Sequence, residues 1–96
     1  MARIIEVKDK PFLLIECTAG ELMQAVGSDI VICDWCAKPF LPSDDGVYIA
    51  VLNQWYCKDC YNEWIERAEY YPSDADVERK NFEFYAPRFG LTINTI

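Results

Sequence analysis

Cys33-Asp34-Trp35-Cys36 and Cys57-Lys58-Asp59-Cys60 are two Cys-x-x-Cys pairs separated by twenty residues. Each pair sets two sulfurs on one tight turn, so four thiolates can converge on one ion when the chain between them folds back. The expected chemistry is a closed tetrahedral site for a single structural Zn2+, with Cys33, Cys36, Cys57 and Cys60 as ligands. Such a site keeps no open coordination position, so no catalysis by the metal and no enzyme activity is expected. Iron suits the same four thiolates. A redox pair at Cys57 and Cys60 is the alternative use, because a helix N-terminus activates a thiol. That use leaves Cys33 and Cys36 without a role. The bland reading, buried thiols that happen to share this spacing, has to explain the motif twice.

The rest of the composition narrows the chemistry. Histidine is absent, which removes the commonest general base, Ser-His and Cys-His nucleophile pairs, and any mixed Cys/His site. Nine basic against sixteen acidic residues give a formal charge of −7, and four thiolates with one divalent ion take it to about −9. A surface this acidic repels phosphate, so a nucleic-acid-binding regulator requires its few cations to cluster, for instance Arg67, Arg79, Lys80 and Arg88. The carboxylates show no paired spacing for acid–base work, and no Gly-rich phosphate loop is present. Asp44-Asp45-Gly46 reads as a turn and Asp74 with Asp76 as helix caps.

The elements that must carry the cysteines are short. Residues 3–7 and 12–17 read as a β-hairpin about Lys8-Asp9-Lys10-Pro11, the second strand covered on both faces. Thr18-Ala-Gly-Glu21 is a capping box opening a short helix that Gly27 ends. Ile30-Val31-Ile32 feeds a strand into Cys33. Val47–Asn53 is apolar at both alternations and reads as a central strand. Trp55-Tyr56 leads into the second pair. From Asp59, apolar Tyr61, Trp64, Ile65, Ala68 and Tyr71 recur at helical spacing until Pro72. Ser73-Asp74-Ala75-Asp76 opens another helix, through Tyr85, and residues 89–93 read as a weak edge strand. Cys17 ends an apolar strand and reads as a small core residue. Trp35, Trp55, Tyr56, Tyr61 and Trp64 form an apolar shell around the cysteines, with Trp35 the best candidate for an exposed recognition residue. Phe82, Phe84, Tyr85 and Phe89 are expected to pack on the N-terminal hairpin, and any exposed part of them to form a docking patch.

A knuckle bearing Cys-x-x-Cys, a hairpin, then Cys-x-x-Cys at a helix start resembles the treble-clef zinc finger over residues 30–71. Cys33-Asp-Trp-Cys-Ala-Lys-Pro-Phe40 and Tyr56-Cys-Lys-Asp-Cys-Tyr61 look like pieces of LIM-type modules, and the spacing approaches that of GATA-type fingers. The resemblance implies that Cys33, Cys36, Cys57 and Cys60 hold zinc and pin hairpin to helix. A LIM domain carries two zinc modules, and ligands for one occur here; GATA-type fingers are basic, and this chain is acidic.

Ninety-six residues make one small α+β domain. Its parts are an N-terminal hairpin with a short helix (1–29), the zinc-binding segment (30–71) and a C-terminal helix with its tail (72–96). A core of this size has little stability to spare, whereas a structural zinc contributes about 10–16 kcal/mol in finger peptides, so the metal is expected to decide whether the chain folds. The charged N-terminus is unlike a signal peptide and no apolar run reaches membrane-span length, which points to the cytosol, where thiols stay reduced. The expected role is an adaptor that binds another protein, with nucleic acid disfavoured and no membrane.

Overall fold

A computed structural model describes residues 2–91. Strands β1 (Arg3–Val7) and β2 (Lys10–Thr18) form the expected hairpin, turned by Asp9 at φ 68°, a left-handed conformation that Asp tolerates. The ladder is irregular: Ile5 faces Leu14 and Val7 faces Lys10, so β2 fits three residues where β1 has only Glu6. Helix α1 (Ala19–Val26) follows, with both bonds of the Thr18–Glu21 capping box made and Gly27 left-handed at its end, φ 70°. Its first amides find acceptors far along the chain, Ala19 N–H on the Asp44 carbonyl and Gly20 N–H on that of Pro42.

A small two-stranded ribbon comes next, β3 (Val31–Ile32) against β4 (Pro39–Phe40). Strand β5 (Asp45–Ile49) then pairs with β2 and with β6 (Gln54–Cys57), completing an antiparallel four-stranded sheet of order β1-β2-β5-β6. Helices α2 (Lys58–Arg67) and α3 (Ala75–Tyr85) follow, joined through a 3-10 turn at Pro72–Asp74; a second 3-10 turn, Ala86–Phe89, ends the described chain.

Five expectations need correction. The strand expected over 47–53 ends at Ile49, and residues 50–53 are a turn closed by Asn53 at φ 54°. Ala50 is buried at the start of that turn, where Asn81 of α3 donates to its carbonyl at 2.8 Å. Gly46 lies inside β5 opposite Cys57 rather than in the preceding turn. Helix α2 stops at Arg67 instead of reaching Tyr71, since Pro72 has no N–H for the Ala68 carbonyl and its ring would collide there. Departure from the helix lets Tyr70 meet Phe12 edge-on at 5.5 Å. Asp74 sits at the start of α3 without a side-chain capping bond. In the expected edge strand, Phe89 is in a 3-10 turn and Gly90 is left-handed; positions 92 and 93 lie outside the described residues.

The core is the sheet with a layer on each face. Phe12 and Tyr56 meet Trp64 of α2, at 5.0 and 6.4 Å between ring centroids, while Tyr48 meets Tyr85 of α3 at 4.7 Å. Lys10 donates to the Ile65 carbonyl, tying the first hairpin to the end of α2, where a cation also suits the helix dipole. Glu78 of α3 is buried and accepts the N–H of Leu13 at 2.9 Å, the amide that the irregular β1–β2 ladder leaves over. Phe82 is buried, but Phe84 is 51% exposed, with Arg88 stacked over its ring.

Candidate metal centre

The first ligand pair is held by a knuckle between β3 and β4. Cys33 N–H donates to the Lys38 carbonyl at 3.1 Å, and Ala37 N–H returns to the Cys33 carbonyl at 2.9 Å. The return needs a left-handed residue, and Ala37 supplies it at φ 60°. The second pair is held by the junction of β6 and α2. Cys57 is the last residue of β6 and the N-cap of α2, and Cys60 lies in the first turn. The unpaired amides and positive end of that helix favour anionic sulfur.

The fold brings all four sulfurs together. The Sγ atoms of Cys33, Cys36, Cys57 and Cys60 lie within 4.8 Å of one another. A regular tetrahedron of thiolates at about 2.3 Å from zinc has edges of about 3.8 Å, so small side-chain adjustments bring these sulfurs onto one ion. Cys33 and Cys57 are buried, Cys36 and Cys60 partly so. A donor set of four soft thiolates suits zinc or iron and is poor for hard cations.

Proton affinities within the cluster differ with the number of amides at each sulfur. Burial raises the Cys33 thiol, but the N–H groups of Cys36, Cys57 and Trp35 outweigh it and bring the group down to about 7. The Cys57 amide reaches the Cys33 sulfur at 3.3 Å, a direct bond between the two pairs. Burial raises Cys57, and burial with the crowding of the other thiols raises Cys60 further. Four thiols so close resist ionising together, and a divalent cation removes that repulsion.

The aromatic shell is present in part. Trp55, Tyr56 and Tyr61 are buried, and Phe40 meets Trp55 edge-on at 5.6 Å. Trp35 is 58% exposed, yet its ring is flanked by Tyr56 at 6.1 Å and by the Arg67 guanidinium at 5.1 Å. Cys17 is not in the cluster; it is buried in the sheet, where burial pushes its thiol up to about 12. Three of the four cations named as a possible nucleic-acid patch have separate partners: Arg67 on Trp35, Arg79 near Glu83 at 3.9 Å, and Arg88 on Phe84.

Three supporting residues carried no sequence signal. Asp34 binds the backbone of Trp55, twenty-one positions away. Glu16 of β2 accepts Lys58 at 2.9 Å and Arg3 at 2.7 Å, linking the first residue of α2 to the outer hairpin. Gly46 leaves the space that the Trp55 indole fills; a Cβ there would sit 2.1 Å from the ring. Each acts on a segment distant in the chain, where local pattern is silent.

No family model matches the chain, and no curated protein or solved structure matches it. No helix among the described residues is long and apolar enough to cross a membrane.

Proposed function

We propose that the chain is a domain with one structural zinc, built as a treble clef and serving as an adaptor that binds another protein. The observation that carries this reading is the convergence of four sulfurs from a knuckle and a helix N-terminus. Knuckle, β5–β6 hairpin and α2 follow in the treble-clef order over residues 30–71. Zinc is the metal of choice because four thiolates complete its tetrahedron and it brings no redox demand. A completed tetrahedron offers substrate no position, which favours a binding role over catalysis. The net charge of −7 disfavours nucleic acid as the partner. A reducing compartment such as the cytosol keeps such thiolates available.

The redox alternative places its reactive thiol at Cys57 or Cys60 and gives no role to Cys33 and Cys36, whose sulfurs lie in the same cluster. Elemental analysis of protein purified from cells tests the proposal. One zinc per chain, lost in Cys60→Ser, with unfolding on chelation, is the expected result. Metal-free protein that stays folded in chelator would overturn it.

A further inference from the structure

The β3–β4 ribbon has two unlike faces. On the inner one, Val31 is 4% exposed and its partner Phe40 packs on Trp55. On the outer one, Ile32 is opposite Pro39, and one more step of the same register sets Ile30 opposite Leu41. Ile30 is 67%, Ile32 49% and Leu41 69% exposed, and Pro39 is exposed as well. Every side chain on this face is apolar, and neither the knuckle hydrogen bonds nor the core uses any of them. Isolated exposed apolar residues are ordinary; four set together on one ribbon face are not.

We propose that this face is a docking surface for a protein segment bearing adjacent apolar side chains flanked by Lys or Arg. The inference rests on the reading of the chain as a protein-binding zinc module and names the surface and the partner's chemistry. Charge selects the occupant. Asp29, beside Ile30 in the chain, is exposed and lines the groove next to the ribbon, inside a chain of net charge −7. A basic flank is attracted to a chain of this charge, whereas a second copy would bring the same negative charge against it. Space adjoins the ribbon too: an open groove of about 530 Å³, lined by Gly20, Met23, Gln24, Asp29 and Pro42 among others, begins at the neighbours of Ile30 and Leu41. A metal held by Cys33 and Cys36 would stiffen the ribbon whose two strands flank them, so little order would have to be gained on docking.

The test uses the zinc-loaded full chain and a synthetic peptide of alternating Leu and Lys. Controls replace Lys by Glu, or Leu by Ser. Amide shifts on titration are expected to concentrate at residues 30–32 and 39–41, to weaken with salt, and to be absent with both control peptides. Ile30→Ser with Leu41→Ser is expected to weaken binding about tenfold or more at unchanged zinc content and Tm, because both side chains are exposed. Shifts centred elsewhere, or equal binding of the Glu peptide, overturn the assignment. So does self-association, or adsorption to phosphatidylcholine vesicles, that the double variant abolishes. A chain that purifies without zinc removes the underlying module reading; a zinc-loaded chain indifferent to the peptide removes the docking assignment alone.

Discussion

Asp34 and Trp55 bind each other twice. The Asp34 N–H donates to the Trp55 carbonyl at 3.0 Å, and the Asp34 carboxylate accepts the Trp55 N–H at 2.9 Å. Asp34 stands between the ligands of the first pair, and Trp55 stands two positions before Cys57. The contact also occupies the open edge of β6, the outermost strand of the sheet. Knuckle and helix junction are thereby set near each other by protein contacts that act alongside the four cysteines.

Removing that carboxylate is expected to loosen the centre. Asp34→Ala leaves the Trp55 amide without its acceptor and costs about 1–3 kcal/mol, whereas Asp34→Asn retains an acceptor and costs less. Zinc release to a chromogenic chelator is expected to be fastest for Ala, intermediate for Asn and slowest for the native chain. Equal release rates for all three would show that the contact does not organise the site.

Gly46→Ala forces the Trp55 indole out of its place, since the added carbon would lie 2.1 Å from the ring. Overpacking of this kind costs about 1–3 kcal/mol. A lower Tm with a changed near-ultraviolet tryptophan signal is the outcome to look for. An unchanged spectrum and Tm would contradict the packing described.

Ala37→Gly is expected to act in the other direction. A left-handed alanine costs about 1–2 kcal/mol that glycine does not incur, partly offset by glycine's greater freedom when unfolded. Denaturant unfolding of the zinc-loaded protein is expected to shift upward by up to about 1 kcal/mol. A decrease would mean that the Ala37 methyl makes a contact that matters more than the strain.

Glu78 makes a prediction with a definite pH sign. Burial pushes its carboxyl above the ordinary 4.5, although the Leu13 amide opposes this. A raised folded pKa gives stability that is complete below 4.5 and is lost as pH rises through the folded value. Native stability minus that of Glu78→Gln is therefore expected to fall as pH rises from 4.5 and then level off. Glu78→Leu, which strands the Leu13 N–H, is expected to be destabilised by about 1–3 kcal/mol at every pH. A difference between native and Gln that grows with pH would show that the ionised carboxylate is favoured instead.

The capping box at Thr18–Glu21 and the Gly27 cap were legible because a cap is satisfied within a few residues. The hairpin of β1 and β2 and the helix after Cys57 were legible from alternation and from three-and-four spacing. The end of the second sheet hairpin was not. Ala50, Val51 and Leu52 have the composition of a strand, and the turn they form instead is held by a contact on Ala50 from Asn81, thirty-one residues on.

The four candidate ligands could be chosen from the chain alone, because a thiolate pair two residues apart is a local geometric statement. That their sulfurs lie within 4.8 Å of one another is a tertiary fact. It depends on the Asp34–Trp55 bonds, on the space above Gly46, and on Glu16 and Lys10 anchoring the two ends of α2. The outward apolar face of the β3–β4 ribbon is decided at the same level. Composition shows Ile30, Ile32, Pro39 and Leu41 to be apolar, but only strand register and packing determine that Ile32 and Pro39 share the side away from the core and that all four are exposed.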